Sequence, residues 1–220
     1  KVESFIKYKL FTKEVELSDA QTLRNLSEIQ PKEILKSTFK KAIDELTVTD
    51  KGTAEVKNYI SLKLSKPKIA ENQPFIVPKK SVFNKIIGDN PFELEFASFL
   101  ESRFDDVVSY AKNTMGEGGI NFKIEYQAQD GNIREYYPDF FVKTNDKTFY
   151  IVETKGREDL DDIRKIQRLF VWCKDINTAQ KDYTYSPVYI KQEKWDDIKN
   201  NFKSFAEVVK IFTVTENKES

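Results

Sequence analysis

Histidine is absent from the 220 residues, and cysteine and methionine occur once each. Without imidazole there can be no Ser-His-Asp or Cys-His triad and no histidine-ligated zinc hydrolase or nuclease. The lone Cys173 excludes a disulfide framework and any multi-cysteine metal site. None of the seven glycines falls into GxxxxGK[ST], or into GxGxxG after a strand, so no loop is built to cradle the phosphates of ATP or a dinucleotide. No apolar run approaches the roughly 20 residues of a membrane span and no signal peptide opens the chain, so a cytoplasmic location is expected, with no membrane partner. The start at Lys1, without methionine, points to an excised fragment. What is present is 39% hydrophobic and 13% aromatic residues, enough for one or two packed cores, and 36 basic against 36 acidic side chains. The chemistry must come from carboxylates, lysines and a metal they can hold.

The balanced charge hides an uneven distribution. Residues 1–87 carry 17 basic and 11 acidic groups, whereas residues 88–150 carry 6 and 12. The positive excess gathers at Lys63, Lys66, Lys68, Lys79, Lys80 and Lys85, against Glu71 alone. Such a field attracts phosphates, although a solvated loop beside Pro67, Pro74 and Pro78 would have the same composition. Composition divides the chain into a smaller α+β accessory region, 1–87, and a main domain, 88–220. In the first, residues 4–17 alternate loosely like a strand and 31–46 have the spacing of an amphipathic helix.

Residue 90 begins a cleaner pattern. Asn90-Pro91 offers an N-cap followed by proline at the first helical position, and Phe92, Phe96, Phe99, Leu100, Phe104 and Val107 make one apolar stripe of about four turns. Strands are expected at 120–127, 133–143 and 148–155, forming an antiparallel meander through turns at Asp130-Gly131 and Thr144-Asn145-Asp146-Lys147. A helix at 159–174, a strand at 183–191 and a helix at 195–209 complete the order α-β-β-β-α-β-α, an α/β fold with a small mixed sheet flanked by helices.

The informative stretch is Tyr137-Pro138-Asp139-Phe140-Phe141 with Tyr150-Ile151-Val152-Glu153-Thr154-Lys155-Gly156. Alternation along a strand sets Glu153 and Lys155 on one face and Val152 and Thr154 on the other. A three-residue loop at 145–147 pairs Thr144 with Thr148 and sets Asp139 opposite Glu153, with roughly 5 Å between Cβ atoms. Two carboxylates so close repel unless a cation lies between them, and oxygen ligands at this spacing suit Mg²⁺ or Mn²⁺. Such an ion polarises a phosphoryl oxygen, while a neighbouring lysine positions or deprotonates the attacking water. That is phosphodiester hydrolysis without histidine. Acid-x-Lys recurs at Glu55-Val56-Lys57, Asp197-Ile198-Lys199 and Glu216-Asn217-Lys218, but only the copy at 153–155 ends an apolar strand with Pro138-Asp139 upstream. The plain alternative makes Asp139 and Glu153 surface residues paired with Lys143 and Lys155.

This pattern resembles the PD-(D/E)XK nuclease superfamily, the restriction-endonuclease-like fold. More narrowly, Asn90-Pro91-Phe92-Glu93-Leu94-Glu95-Phe96-Ala97, Ala111-Lys112-Asn113, Tyr136-Tyr137-Pro138-Asp139-Phe140 and Val152-Glu153-Thr154-Lys155-Gly156-Arg157-Glu158 resemble the C-terminal endonuclease domain of type III restriction enzyme Res subunits. The resemblance implies cleavage of double-stranded DNA with Mg²⁺, in assembly with a helicase-type ATPase region and a modification methyltransferase subunit. By position it implies Asp139 and Glu153 as metal ligands, the Thr154 carbonyl as a further ligand and Lys155 as the catalytic lysine. A stand-alone repair or anti-phage nuclease, or a catalytically silent DNA-binding module, would keep the same fold.

The fold usually adds a carboxylate from its first helix. At about 100° per residue Glu93 lies inside the apolar stripe, about 20° from Leu100, and Glu95 lies outside. Glu93 is therefore the expected catalytic or supporting acid, although three residues after Asn90 it could instead complete a capping box. Arg157 and Lys165, near the start of the 159–174 helix, and Lys79 and Lys80 are the expected phosphate contacts on DNA. Gln167 is placed on that helix's apolar side beside Leu160 and Val171. Trp172 and Trp195 are assigned to the core.

Overall fold

The computed structural model describes residues 2–11, 13–49, 54–62, 65–66, 72–144 and 147–215, and it divides into two compact units, Lys1–Gly52 and Thr53–Ser220. The first is helical: α1 (Val2–Phe5) runs into a π-turn (Ile6–Leu10), followed by α2 (Ala20–Ser27) and α3 (Ile29–Thr49). The strand expected at 4–17 is thus a helix over its first half. Ile6 and Leu10, four residues apart, are half-buried with exposed Tyr8 and Lys9 between them, a helical spacing, and the Phe5 ring meets Phe39 edge-on at 5.9 Å. The helix expected at 31–46 lies within α3.

The second unit begins earlier than the composition boundary at residue 87. Two short strands, β1 (Phe75–Ile76) and β2 (Ile86–Ile87), pair with each other, and Phe83 and Ile86 enter its main core. Helix α4 (Pro91–Ser102) starts as the sequence requires, with Asn90 Oδ1 accepting from the Glu93 N–H at 3.0 Å and Pro91 in the first turn. It stops at Ser102, shorter than the stripe implied. Val107 does not continue the helix but opens β3 (Val107–Lys112), a strand the helical reading hid.

Six further elements place the site. They are β4 (Ile124–Gln127), β5 (Ile133–Tyr136), β6 (Phe140–Thr144), β7 (Thr148–Lys155), α5 (Asp162–Ala179) and β8 (Thr184–Lys191). The expected meander is split. β4 and β5 form a separate hairpin, and the strand expected at 133–143 breaks at Tyr137-Pro138-Asp139. The main sheet has the order β3-β6-β7-β8, antiparallel except for the parallel β7–β8 pair that α5 connects. The register between β6 and β7, Phe140↔Val152 through Lys143↔Phe149, is the expected one; Asn145 and Asp146 lie outside the described residues. Pro187 sits in β8, the edge strand, where a missing N–H interrupts no ladder, and Val188 there bridges to Thr213.

The helix expected at 195–209 is two, α6 (Gln192–Ile198) and α7 (Phe205–Phe212), separated by a 3₁₀ turn. Helices cover both faces of the sheet. One core joins Phe96 of α4, Phe140, Val152, Trp195 and Phe205, with the Trp195 ring 5.5 Å from Phe96 and 5.0 Å from Phe99. On the other face Ile151 packs with Leu169 and Cys173 of α5 and with Tyr126 and Tyr136 of the hairpin, and Trp172 is half-buried against Phe122. Gln167 is exposed, as are Leu160 and Val171, because α5 turns Leu169 and Cys173 to the sheet instead. The result is a mixed α/β fold of the restriction-endonuclease-like kind. Among the described residues no helix is long and apolar enough to cross a membrane.

Candidate active site

Proline cannot donate to a ladder, so the chain at Pro138 leaves the sheet and is held by other means. Asn113, just after β3, holds it. Its backbone N–H donates to the Asp139 carbonyl at 2.7 Å and its side-chain Nδ2 donates to the Pro138 carbonyl at 2.8 Å. The same amide exchanges bonds with Phe122, accepting from its N–H at 3.2 Å and donating to its carbonyl at 2.8 Å. Asp139 is thereby fixed one step beyond the last β6–β7 pair. Its Oδ2 accepts from the Thr154 N–H at 2.8 Å and the Thr154 hydroxyl at 2.6 Å, leaving Oδ1.

Glu153 lies on the opposite face of β7 from Thr154, with its carboxylate buried and Oε2 accepting from the Tyr136 hydroxyl at 2.9 Å. Burial, and after it the charge of Asp139, push the Glu153 carboxyl well above its ordinary range. Burial likewise raises the Tyr136 hydroxyl, which stays a proton donor. β7 thus aims Glu153 at the α5 face while Asp139 reaches Thr154 across the end of the sheet.

Glu93 is buried on α4 and does two things at once. It completes the helix cap, Oε1 accepting from Asn90 Nδ2 at 2.8 Å and Oε2 from the Asp89 N–H at 2.9 Å, and it pairs with a lysine the charge pattern did not single out. Lys112 Nζ lies 2.9 Å from Glu93 Oε2, 3.1 Å from Asp89 Oδ2 and 3.6 Å from Asp139 Oδ1, with its side chain only 4% exposed. Burial alone would lower the Lys112 ammonium, but Asp139 and Glu93 more than offset it and hold it above its ordinary value. Burial and Asp139 raise Glu93 against the pull of Lys112. Glu95 points away, accepting from Trp195 Nε1 at 2.9 Å and Lys199 Nζ at 2.8 Å, so it ties α4 to α6.

Lys155 shares the Glu153 face and turns to the start of α5, its Nζ 2.9 Å from Asp162 Oδ1 and 3.2 Å from Asp159 Oδ2. Lys165 joins the same carboxylates at 3.1 and 2.9 Å and is only 18% exposed, so its ammonium is engaged rather than presented to solvent. Partial burial would lower both lysines, yet bonds to Asp159 and Asp162 raise them. Asp159 in turn is pulled well below its ordinary range by Lys165, the Asp161 N–H and Lys155, against a raising effect of burial. Asp161 pins the β4–β5 hairpin here, accepting from the Gln129 N–H at 2.7 Å and Arg134 Nη1 at 3.2 Å.

The expected DNA contacts separate. Arg157, between β7 and α5, is exposed. Lys79 is exposed, its N–H donating to Glu101 at 2.7 Å. Lys80 is directed into the fold instead: Nζ donates to the Phe104 carbonyl at 2.8 Å and the Leu100 carbonyl at 3.3 Å, at the C-terminus of α4. Lys85 stacks on the Phe75 ring at 4.1 Å, and Lys63 and Lys68 lie outside the described residues.

Asp139 Oδ1, approached only by Lys112 at 3.6 Å, and the second oxygen of Glu153 are both hard oxygen donors, and burial followed by the charge of Asp139 raises Glu153; these are donors of the kind a hard divalent cation takes. Among the described residues no group of three or more histidine, cysteine or carboxylate side chains is arranged as a complete metal cage, so any ion here would rest on two carboxylates, a backbone carbonyl and water. Residues 105–207, just under half of the chain, match the family model described as TnsA-like endonuclease N terminal. The match includes Lys112, Asp139, Glu153, Thr154, Lys155, Arg157 and Lys165, and leaves Glu93 outside. No curated protein and no solved structure matches the chain. By this match the chain is similar to TnsA-like endonucleases, a family of the PD-(D/E)XK kind.

Proposed function

We propose that the chain is a divalent-metal-dependent DNA endonuclease whose reaction centre is Asp139, Glu153 and Lys155. The observation that carries this reading is the orientation of the two acids. Each spends one oxygen on a fixed internal donor, Thr154 or Tyr136, and keeps the other for a ligand. Asp139 Oδ1, Glu153 and the Thr154 carbonyl would hold Mg²⁺ or Mn²⁺, which supplies Lewis-acid polarisation of a phosphoryl oxygen and a more acidic water. Lys155 is held charged by Asp159 and Asp162, so its role is to position the attacking water and offset phosphate charge rather than to remove a proton. Arg157 follows one residue after Gly156 on the exposed side, where it can meet a phosphate of the strand being cut, and Lys79 supplies a second exposed cation.

The finer assignment, the endonuclease domain of a type III restriction enzyme acting on double-stranded DNA with a helicase-type ATPase region and a methyltransferase subunit, rests on the four segments that resemble Res subunits. Those segments supply Glu93, Lys112-Asn113, Asp139 and Glu153 through Arg157, all at one end of the sheet, which is what a shared site requires. The family match supports nuclease chemistry and does not speak for the restriction system. Supercoiled plasmid incubated with the purified chain tests the reading. Nicking should appear with Mg²⁺ or Mn²⁺, stop with EDTA and vanish in Asp139→Ala; cleavage indifferent to both chelator and substitution would overturn it.

A further inference from the structure

Lys112 closes β3 at the heart of the site, and the nuclease reading gives it no part in the reaction. A lysine this buried survives only where its charge is matched, and three carboxylates match it. An ammonium has three N–H donors, and Asp89, Glu93 and Asp139 stand around it, Asp139 the loosest at 3.6 Å. Seen from the acids, the arrangement is a division of labour. Both Glu93 oxygens are engaged, Oε1 by Asn90 and Oε2 by the Asp89 N–H and Lys112, so the cap and the lysine together fix the direction of its carboxylate. Asp139 has its Oδ2 filled by two donors from Thr154 and offers only Oδ1, on the side that Lys112 approaches without a tight bond.

We infer that Lys112 is the resident cation of this site and makes it a one-metal centre. The ammonium stands between Glu93 and Asp139, where a second divalent ion would otherwise balance the same two charges, and it leaves Asp139 Oδ1 and Glu153 for a single ion. Glu93 is then a positioning residue that acts through Lys112, not a ligand. Asn113 positions the same acid from the backbone side, fixing the Pro138 and Asp139 carbonyls while Thr154 fixes the Asp139 carboxylate. This inference rests on the metal-dependent reading and adds a number to it.

The number is measurable without any cleavage. Mn²⁺ bound per chain is counted to saturation, by electron paramagnetic resonance of the free ion, on the full chain, on Lys112→Met, on Lys112→Arg and on the Lys112→Met/Glu93→Gln double variant, each checked by circular dichroism for a native fold. The parent and Lys112→Arg should bind one ion. Lys112→Met, which uncovers Glu93 and Asp139 together with the more exposed Asp89, should bind two, and adding Glu93→Gln should restore one. A lysine that served only the fold would give no gain of an ion and no reversal by Glu93→Gln. Two ions on the parent, or a folded Lys112→Met that still binds one, overturns the inference while sparing the nuclease reading. A parent that binds none removes both. If Lys112→Met does not fold, Lys112→Gln, which can still donate to Glu93, carries the same comparison: a second ion on it supports the inference and a single ion overturns it.

Discussion

Two lysine–carboxylate clusters flank Glu153, built from the same residue types and tuned in opposite directions. On the α4 side one buried ammonium, Lys112, faces Asp89, Glu93 and Asp139, so carboxylates outnumber cations, and burial with Asp139 raises Glu93. On the α5 side two ammonium groups, Lys155 and Lys165, share the exposed Asp159 and the buried Asp162, and Asp159 is pulled down. The first cluster has negative charge in surplus and calls for another cation. The second is balanced and can hold a lysine in one place. In the proposed reaction centre, stoichiometry of charge, more than proximity, would separate the side that takes a cation from the side that holds a lysine in place.

The largest effect should come from breaking the surplus. Asp139→Ala and Glu153→Ala should each reduce cleavage to background and lose Mn²⁺ binding with the fold intact, because each removes one of the two acids with an oxygen to offer. Plasmid nicking and Mn²⁺ titration on the same samples check this, and parental activity in either variant would refute the assignment.

Next is the balanced side. Lys155→Ala should keep its Mn²⁺ affinity and lose about 10²–10³ in the single-turnover rate, since it withdraws a charge-stabilising group and no ligand. Simultaneous loss of metal and activity would mean that the two clusters are one unit, and the comparison would collapse.

A smaller effect distinguishes two adjacent lysines that sequence alone treats alike. Lys79→Glu should leave stability unchanged and weaken DNA binding equally on all sequences, an effect that fades at high salt. Lys80→Met should instead cost about 1 kcal/mol in urea denaturation, by removing a cation from the last turn of α4. Equal binding losses with no stability difference would return Lys80 to the DNA surface.

That pair shows where sequence stops being legible. β7 was readable to its bounds because an apolar run ends in Glu153-Thr154-Lys155 with turns on both sides, and Asn90-Pro91 announced α4. β3 was not, because Phe104 and Val107 continue a helical spacing by accident; the signal missed was Val107-Val108-Ser109-Tyr110, a β-branched and aromatic run after Asp105-Asp106. The split between α6 and α7 was written in Ser204-Phe205-Ala206-Glu207, a capping box whose Ser204 accepts from the Glu207 N–H at 3.4 Å. Site residues on one strand were found by period two, whereas Lys112 could not be, since its meaning comes from three partners distant in sequence. The same holds for Lys80, whose acceptors lie at Leu100 and Phe104.

The smallest effect, and the one that addresses the two clusters most directly, is in the pH dependence of stability. Glu153 titrates above its ordinary 4.5 in the folded chain. Below that value it is neutral in both states; as pH rises the unfolded chain ionises first, so its contribution to stability is present in acid and is lost as pH rises through the folded value. Glu153→Gln, which can still accept from Tyr136, should therefore be more stable than the parent near neutrality and equal to it in acid. Asp159 runs the other way. Its folded value is depressed below 3.8, so its contribution is present above 3.8 and disappears as pH falls through the folded value. Asp159→Asn should be less stable than the parent near neutrality, by a modest amount because the side chain is 51% exposed and screened by solvent. Thermal melts run without divalent ions from about pH 8 down to below pH 3.8 would show differences of opposite sign, the first closing as pH falls toward 4.5 and the second closing only below 3.8. Adding Mn²⁺ should raise the melting temperature of the parent more than that of Glu153→Gln and so narrow the first difference, since an ion held between Asp139 and Glu153 relieves the charge that the substitution deletes. Two variants that shift in the same direction would show that the clusters are tuned alike, and that the surplus on the α4 side is not what reaches Glu153.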